Sequence, residues 1–245
     1  FFKGGYQPLV PGNICIEYNN YDKLSLIDEN TACVFAELLK AEAGMNVPDK
    51  KFIKALRKRC NETGALLVFD EIQTGFGRLG TLFGLEQFGV IPDILLLAKT
   101  LGGGLPLGAF IANKNIMSVI ANNPPLGHIT TFGGHPVCCA AGLAMFEELI
   151  SSKIYTKVIE KGKLFRKYLT APAIKEIRGK GLMMAVELGD KDFMHKVLEK
   201  GIELGFLTDW FLFCETAFRI SPPLTITENE IKEACTLINE AVNTA

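Results

Sequence analysis

The chain has 245 residues, a formal net charge of −1, 48% hydrophobic and 22% charged residues, enough for one large domain or two smaller ones. Its Lys and Arg residues are dispersed, which argues against nucleic acid or an anionic membrane surface as partner. Its longest apolar runs, such as residues 205–214, are far shorter than the ~20 residues of a membrane-spanning helix.

The opening residues carry no charged stretch followed by an apolar one, so no secretory leader is expected. A start at Phe1 rather than Met leads us to expect further chain upstream. Residues 49–62 place Phe52, Ile53, Leu56 and Cys60 on one face of a helix, which Gly64 can close in a left-handed conformation. Residues 65–69 then form a short continuous apolar run, as in a parallel strand buried on both faces. Similar runs follow at 94–97 and 107–112. A helix with small residues is expected from Pro136 to about Ile150, and an amphipathic one over 155–169. Beyond it come a strand at 182–188, a helix at 192–203 and a strand at 218–220 that Pro222 and Pro223 end. The last helix starts at Thr227, where Thr227 and Glu230 have the spacing of a capping box and Ile231, Ala234, Leu237 and Ile238 form its inner face. Strands alternating with helices predict an α/β fold with a mainly parallel first sheet over residues 1–150, and a smaller α+β domain over 151–245.

Seven cysteines, an odd number without CxxC spacing, indicate free thiols in a reducing, cytoplasmic compartment rather than a disulfide framework. His128, His135 and His195 are not spaced as metal ligands, so no metal is expected.

The chemistry concentrates after two of the apolar strands. Residues 65–71 read Ala-Leu-Leu-Val-Phe-Asp70-Glu71, with two carboxylates at the strand end where ligands bind in open α/β sheets. They can be solvated acids of a turn, the metal-binding strand of a P-loop ATPase, or a partner for a cationic cofactor ring. The ATPase also needs GxxxxGK[ST], which the chain lacks. Gly75-Phe-Gly77-Arg-Leu-Gly80 matches GxGxxG, but Asp70–Thr74 separate it from the strand and a poor helix start follows, so an active-site loop or plain turn fits better than a dinucleotide site. Lys99 directly follows the 94–97 strand and precedes Gly102-Gly103-Gly104, where backbone can pack close to a ligand. A lone lysine there is ordinarily solvated. If Asp70 faces the same crevice, a partly desolvated Lys99 can instead act as an amine nucleophile that forms a Schiff base.

These segments resemble the cofactor core of the class III, ω-type aminotransferases, which depend on pyridoxal phosphate (PLP). The resemblance rests on Asp70-Glu-Ile-Gln73-Thr-Gly-Phe-Gly-Arg78, on Pro92-Asp93-Ile-Leu-Leu-Leu-Ala-Lys99-Thr-Leu-Gly-Gly-Gly-Leu-Pro-Leu-Gly108 and on His128-Ile-Thr-Thr131-Phe-Gly-Gly-His-Pro136. Val47-Pro-Asp49, Arg178-Gly-Lys-Gly-Leu182 and Arg219-Ile-Ser-Pro-Pro-Leu224 fall in family order, so it extends over essentially the whole chain. It implies the fold type I architecture of PLP-dependent transferases and transamination of a terminal-amine or amino-acid donor, of the ornithine, acetylornithine, lysine or 4-aminobutyrate kind, with a 2-oxo acid such as 2-oxoglutarate. By the same resemblance Lys99 carries the cofactor, Asp70 keeps its ring nitrogen protonated, Gln73 binds its phenolic oxygen and Ile72 packs on its ring. Thr131 is similar to a threonine that reaches the cofactor phosphate of a neighbouring subunit, which implies a homodimer with shared sites. Arg219 resembles the arginine that grips a substrate α-carboxylate, and Glu42 the glutamate that neutralises it.

The chain departs from the family in places. The stretch that commonly reads EPxxGE is Glu37-Leu-Leu-Lys40-Ala-Glu42 here, and His135 stands where the family has Asn. The family's phosphate-binding turn, the aromatic that stacks on the ring and the arginine for a distal carboxylate fall upstream of anything resembling Phe1. An aminomutase or racemase on the same scaffold, and an inactive fragment or pseudo-enzyme, are the alternative readings.

Overall fold

The computed structural model describes residues 7–122 and 124–245. Two four-stranded sheets organise them. In the first, β1 (Cys33–Glu37), β2 (Leu66–Asp70) and β3 (Ile94–Leu97) run parallel in that order, and β4 (Ala109–Ala112) is antiparallel to β3. The apolar runs thus become strands as expected, but the third begins at Ala109 and reverses direction. Side-chain periodicity carries no information on strand direction.

Leu67 and Phe69 of β2 are buried beneath helix α1 (Lys50–Thr63), which covers them with Phe52, Ile53, Leu56 and Cys60, while Val68 is buried on the opposite face of the strand. Gly64 ends α1 at φ +80°, and its N–H donates to the Cys60 carbonyl, a left-handed cap that favours a residue without Cβ. The turn after β2 leads through the glycine-rich segment into the short helix α2 (Leu85–Phe88).

After β4, helix α3 (Lys114–Asn122) has no buried residue, and α4 (Pro136–Ser152) buries only Gly142 and Leu149. Val119, Leu126, Ile129 and Phe132 stand 72–78% exposed in this stretch.

The second sheet is antiparallel, ordered β5 (Glu176–Lys180), β6 (Met183–Glu187), β8 (Cys214–Ile220), β7 (Trp210–Phe211). Helices α5 (Val158–Tyr168), α6 (Lys191–Leu204) and α7 (Glu228–Thr244) cover it. Phe165, Met184, Val186, Met194, Val197, Phe218, Ile231 and Ile238 form one continuous core there. α7 starts with the predicted capping box: the Thr227 hydroxyl accepts from the Glu230 N–H and the Glu230 carboxylate accepts from the Thr227 N–H. Among the described residues no helix is long and apolar enough to cross a membrane.

A third core group joins the two parts of the chain: Leu39, Ala41, Met45 and Leu79 meet Met183, Ala185, Phe211 and Ala217. The glycine-rich segment lies in the same seam. A Cβ at Gly77 would stand 2.7 Å from Tyr155 Cβ, and one at Gly181 would stand 2.6 Å from the Arg78 carbonyl. Gly77 and Gly80 of the GxGxxG match, against Tyr155 and Ile159, therefore permit close packing across this seam.

Candidate active site

Parallel pairing brings the chemistry to one edge. β1, β2 and β3 all end on the same side of the sheet, with Glu37 opposite Asp70 and Asp70 opposite Leu96. Lys99 follows three residues beyond Leu96 on that side. Two adjoining cavities open there and share Ile72 and Gln73. One, of about 190 Å3, is lined by Lys99, Thr100, Arg78, Met183, Arg219 and Ser221 as well. The other, of about 120 Å3, is lined by Asp70, Glu37, Glu42 and Thr74 as well. The sequence-derived residues Lys99, Asp70, Gln73, Ile72, Arg219 and Glu42 thus gather around one pair of cavities. Thr131 sits in an exposed turn before α4 and lines neither.

Asp70 is oriented by its own turn, its Oδ1 accepting from the Ile72 N–H at 2.9 Å. Lys99 has a left-handed backbone, φ +48°, at the start of a 3-10 turn. That conformation is uncommon for a residue with a Cβ, and such strain tends to collect at functional sites. The Lys99 amine has no hydrogen-bond or ion-pair partner among the described residues.

Arg219 and Glu42 meet fork to fork, with Nη2 to Oε2 at 2.9 Å and Nη1 to Oε1 at 3.3 Å. Arg219 has further anchors. Its Nη2 and Nε donate to the Trp210 carbonyl at 2.8 and 3.3 Å, and its guanidinium lies 4.9 Å over the Phe211 ring. Glu42 also accepts from the Gln73 amide at 3.2 Å and from the Leu212 N–H at 3.4 Å. Burial pushes the Glu42 carboxyl upward, but the hydrogen bonds from Arg219 and Gln73 and the Arg219 charge outweigh it and hold the pKa below the usual glutamate value. For Glu37 the balance is opposite: burial and the nearby Asp70 and Glu42 raise its pKa despite the Ala41 N–H it accepts.

Sequence reasoning passed over two residues. Glu71 is fully buried and accepts from the N–H groups of Gly84 and Leu85 at 2.5 and 2.7 Å and from the Thr74 hydroxyl at 3.3 Å. It ties the far end of the glycine-rich segment to β2 and so fixes the turn carrying Ile72 and Gln73. Arg78 donates to the carbonyls of Pro222 and Leu182 at 2.7 and 2.8 Å, and burial lowers its pKa to about 10. The signals were faint: the second acid of a pair, and one arginine among glycines.

Residues 13–242 match the family model for aminotransferase class-III. The chain belongs to that family. It is 37% identical to the acetylornithine aminotransferase of Caldanaerobacter subterraneus subsp. tengcongensis, over 98% of this chain and 61% of that one. Against the acetylornithine aminotransferase of Methanocaldococcus jannaschii the identity is 38%, over 98% and 60%. A solved structure of the ornithine aminotransferase of Toxoplasma gondii, described with partial occupancy of PLP at its active site, superposes with a TM-score of 0.89 at 35% identity, over 97% of this chain and 57% of that one. The chain therefore spans about three fifths of the length of the relatives it matches.

Class III aminotransferases use pyridoxal phosphate, and the donor set here suits the reactive ring of that group. A primary amine and an acceptor-only carboxylate open onto adjoining cavities at one sheet edge, with the apolar Ile72 side chain common to both.

Proposed function

We propose that this chain carries the lysine and carboxylate side of a PLP-dependent transaminase, moving an amino group from a terminal-amine or amino-acid donor to a 2-oxo acid such as 2-oxoglutarate. One observation carries the reading: Lys99 and Asp70 leave the same edge of the parallel strands and flank the Ile72–Gln73 turn. When bound, the cofactor supplies an electron sink for the bond made and broken at the substrate's amine-bearing carbon. Lys99 Nζ serves as the nucleophile that holds the cofactor and as the base that takes and returns the proton at that carbon. The Asp70 carboxylate keeps a proton on the ring nitrogen, Ile72 covers one ring face, and the Gln73 amide reaches the phenolic oxygen.

Arg219 presents a planar fork suited to a substrate α-carboxylate, while Glu42 fills that fork when the donor offers a terminal amine. The substrates are thus small amino and keto acids. Thr131, exposed on this chain, would reach the phosphate end of a partner's site in a homodimer, and the free thiols fit a cytoplasmic setting.

The test is covalent capture. After incubation with PLP and reduction with borohydride, peptide mapping should place the adduct on Lys99, and Lys99→Ala should abolish it. An adduct of equal yield in Lys99→Ala would overturn the reading. The Glu42–Arg219 pair supplies a pH test. Because the folded-state Glu42 pKa lies below its unfolded value, the pair's stabilisation is complete above the ordinary carboxylate range of about 4.3 and is lost as pH falls through the lowered pKa. The stability difference between the parent and Glu42→Gln should therefore be constant near neutrality and shrink in acid, as urea titrations at several pH values would show.

A further inference from the structure

Glu42 and Arg219 are not held equally. Arg219 is fixed by the Trp210 carbonyl and the Phe211 ring in addition to Glu42, so its fork stays in place whichever anion fills it. The Glu42 carboxylate, beyond Arg219, depends on the Gln73 amide at 3.2 Å and on a longer contact with the Leu212 N–H at 3.4 Å. A carboxylate only accepts hydrogen bonds, so the amide nitrogen of Gln73 must face it. Gln73 in turn belongs to the turn that Glu71 braces from beneath and lines both cavities. A side chain common to both cavities thus also touches the group that would compete with a substrate carboxylate for Arg219.

From this geometry we infer that Gln73 is a positioning residue that latches Glu42 onto Arg219, and so sets the preference of the site between an α-carboxylate and a terminal amine. The inference rests on the reading of Arg219 as a carboxylate site. With the latch closed, an incoming carboxylate must displace an anion held by Arg219, by Gln73 and, more loosely, by the Leu212 N–H. With Gln73 unable to donate, the same carboxylate competes against an anion held mainly by the arginine it is leaving.

Calorimetric titration with glutarate, a dicarboxylate without an amine, reads this without turnover. Gln73→Met keeps length and removes the donor, and should tighten glutarate about 3- to 10-fold, the net contribution of an ordinary hydrogen bond, since a 3.2 Å contact at a part-buried site falls short of the range for bonds to charged groups. Gln73→Asn is too short to span to Glu42 and should act in the same direction. Glu42→Gln should tighten glutarate further, and adding Gln73→Met to it should change nothing, because the latch then has no anion to hold. Unchanged or weaker binding in both Gln73 variants, or full additivity with Glu42→Gln, would overturn the latch. No measurable glutarate binding even in Glu42→Gln would overturn the Arg219 assignment together with the latch. The borohydride adduct at Lys99, measured on the same proteins, separates these outcomes. If the parent forms it while glutarate affinity ignores Gln73, the latch fails and the transaminase reading stands. If the parent does not form it, that reading fails.

Discussion

The second sheet and the stretch from β4 to α4 treat their apolar residues in opposite ways. Around the second sheet, three helices close over one face, and Phe165, Met184, Val186, Phe218 and Ile231 are shut from solvent. From β4 to α4 the residues are no less apolar, yet Phe132 is 78% exposed and Val119 72%. One part completes its core from its own elements, whereas the other leaves a large apolar face uncovered on this chain. Folding strength and apolar content are therefore separate properties here: only residues that find partners contribute.

Truncations can break this comparison. Phe218→Ala, in the middle of β8, should cost about 3–5 kcal/mol in urea unfolding through the cavity it leaves. Thr227→Ala removes one half of the capping box of α7 and should cost about 1 kcal/mol in the same assay. Phe132→Ala should fall within about 0.5 kcal/mol, as for other exposed positions. Similar losses for Phe132→Ala and Phe218→Ala would show that the β4–α4 face is covered in solution. Hydrogen exchange would sharpen the contrast, with the amides of α7 protected far longer than those of α3.

The sequence made much of this legible where side chains alternate between core and solvent. α1 with its Gly64 cap, the burial of β2, the course of α6 and the Thr227–Glu230 box all follow from local periodicity and capping chemistry. β1 was missed because its outward positions, Cys33 and Phe35, are as apolar as its inward ones, Val34 and Ala36, so the alternating burial of the folded strand has no polar–apolar alternation in the sequence. α3 was legible but passed over: its nine residues are as amphipathic as those of α1, and Asn113 accepts from the Ile116 N–H as a capping residue does. β8 runs back to Cys214 because it pairs with β6 and β7, and pairing across distant segments leaves no local trace. The site divides in the same way. Lys99 and Asp70 announce themselves by position after apolar strands, but the Gln73–Glu42 contact joins residues separated by 31 positions and is visible only once β1 lies beside β2.

The grip of Arg78 on the second sheet has a consequence for how the protein tolerates change. Both of its acceptors are main-chain oxygens, those of Leu182 and Pro222. Any amino acid at 182 or 222 still offers that oxygen, so for this contact replacements there need only preserve the path of the backbone. On the other side no exchange will serve, because a lysine has no second prong to span both strand ends. The side-chain demand of this contact thus falls on position 78 alone, and Leu182, fully buried, is constrained by its own packing rather than by the arginine.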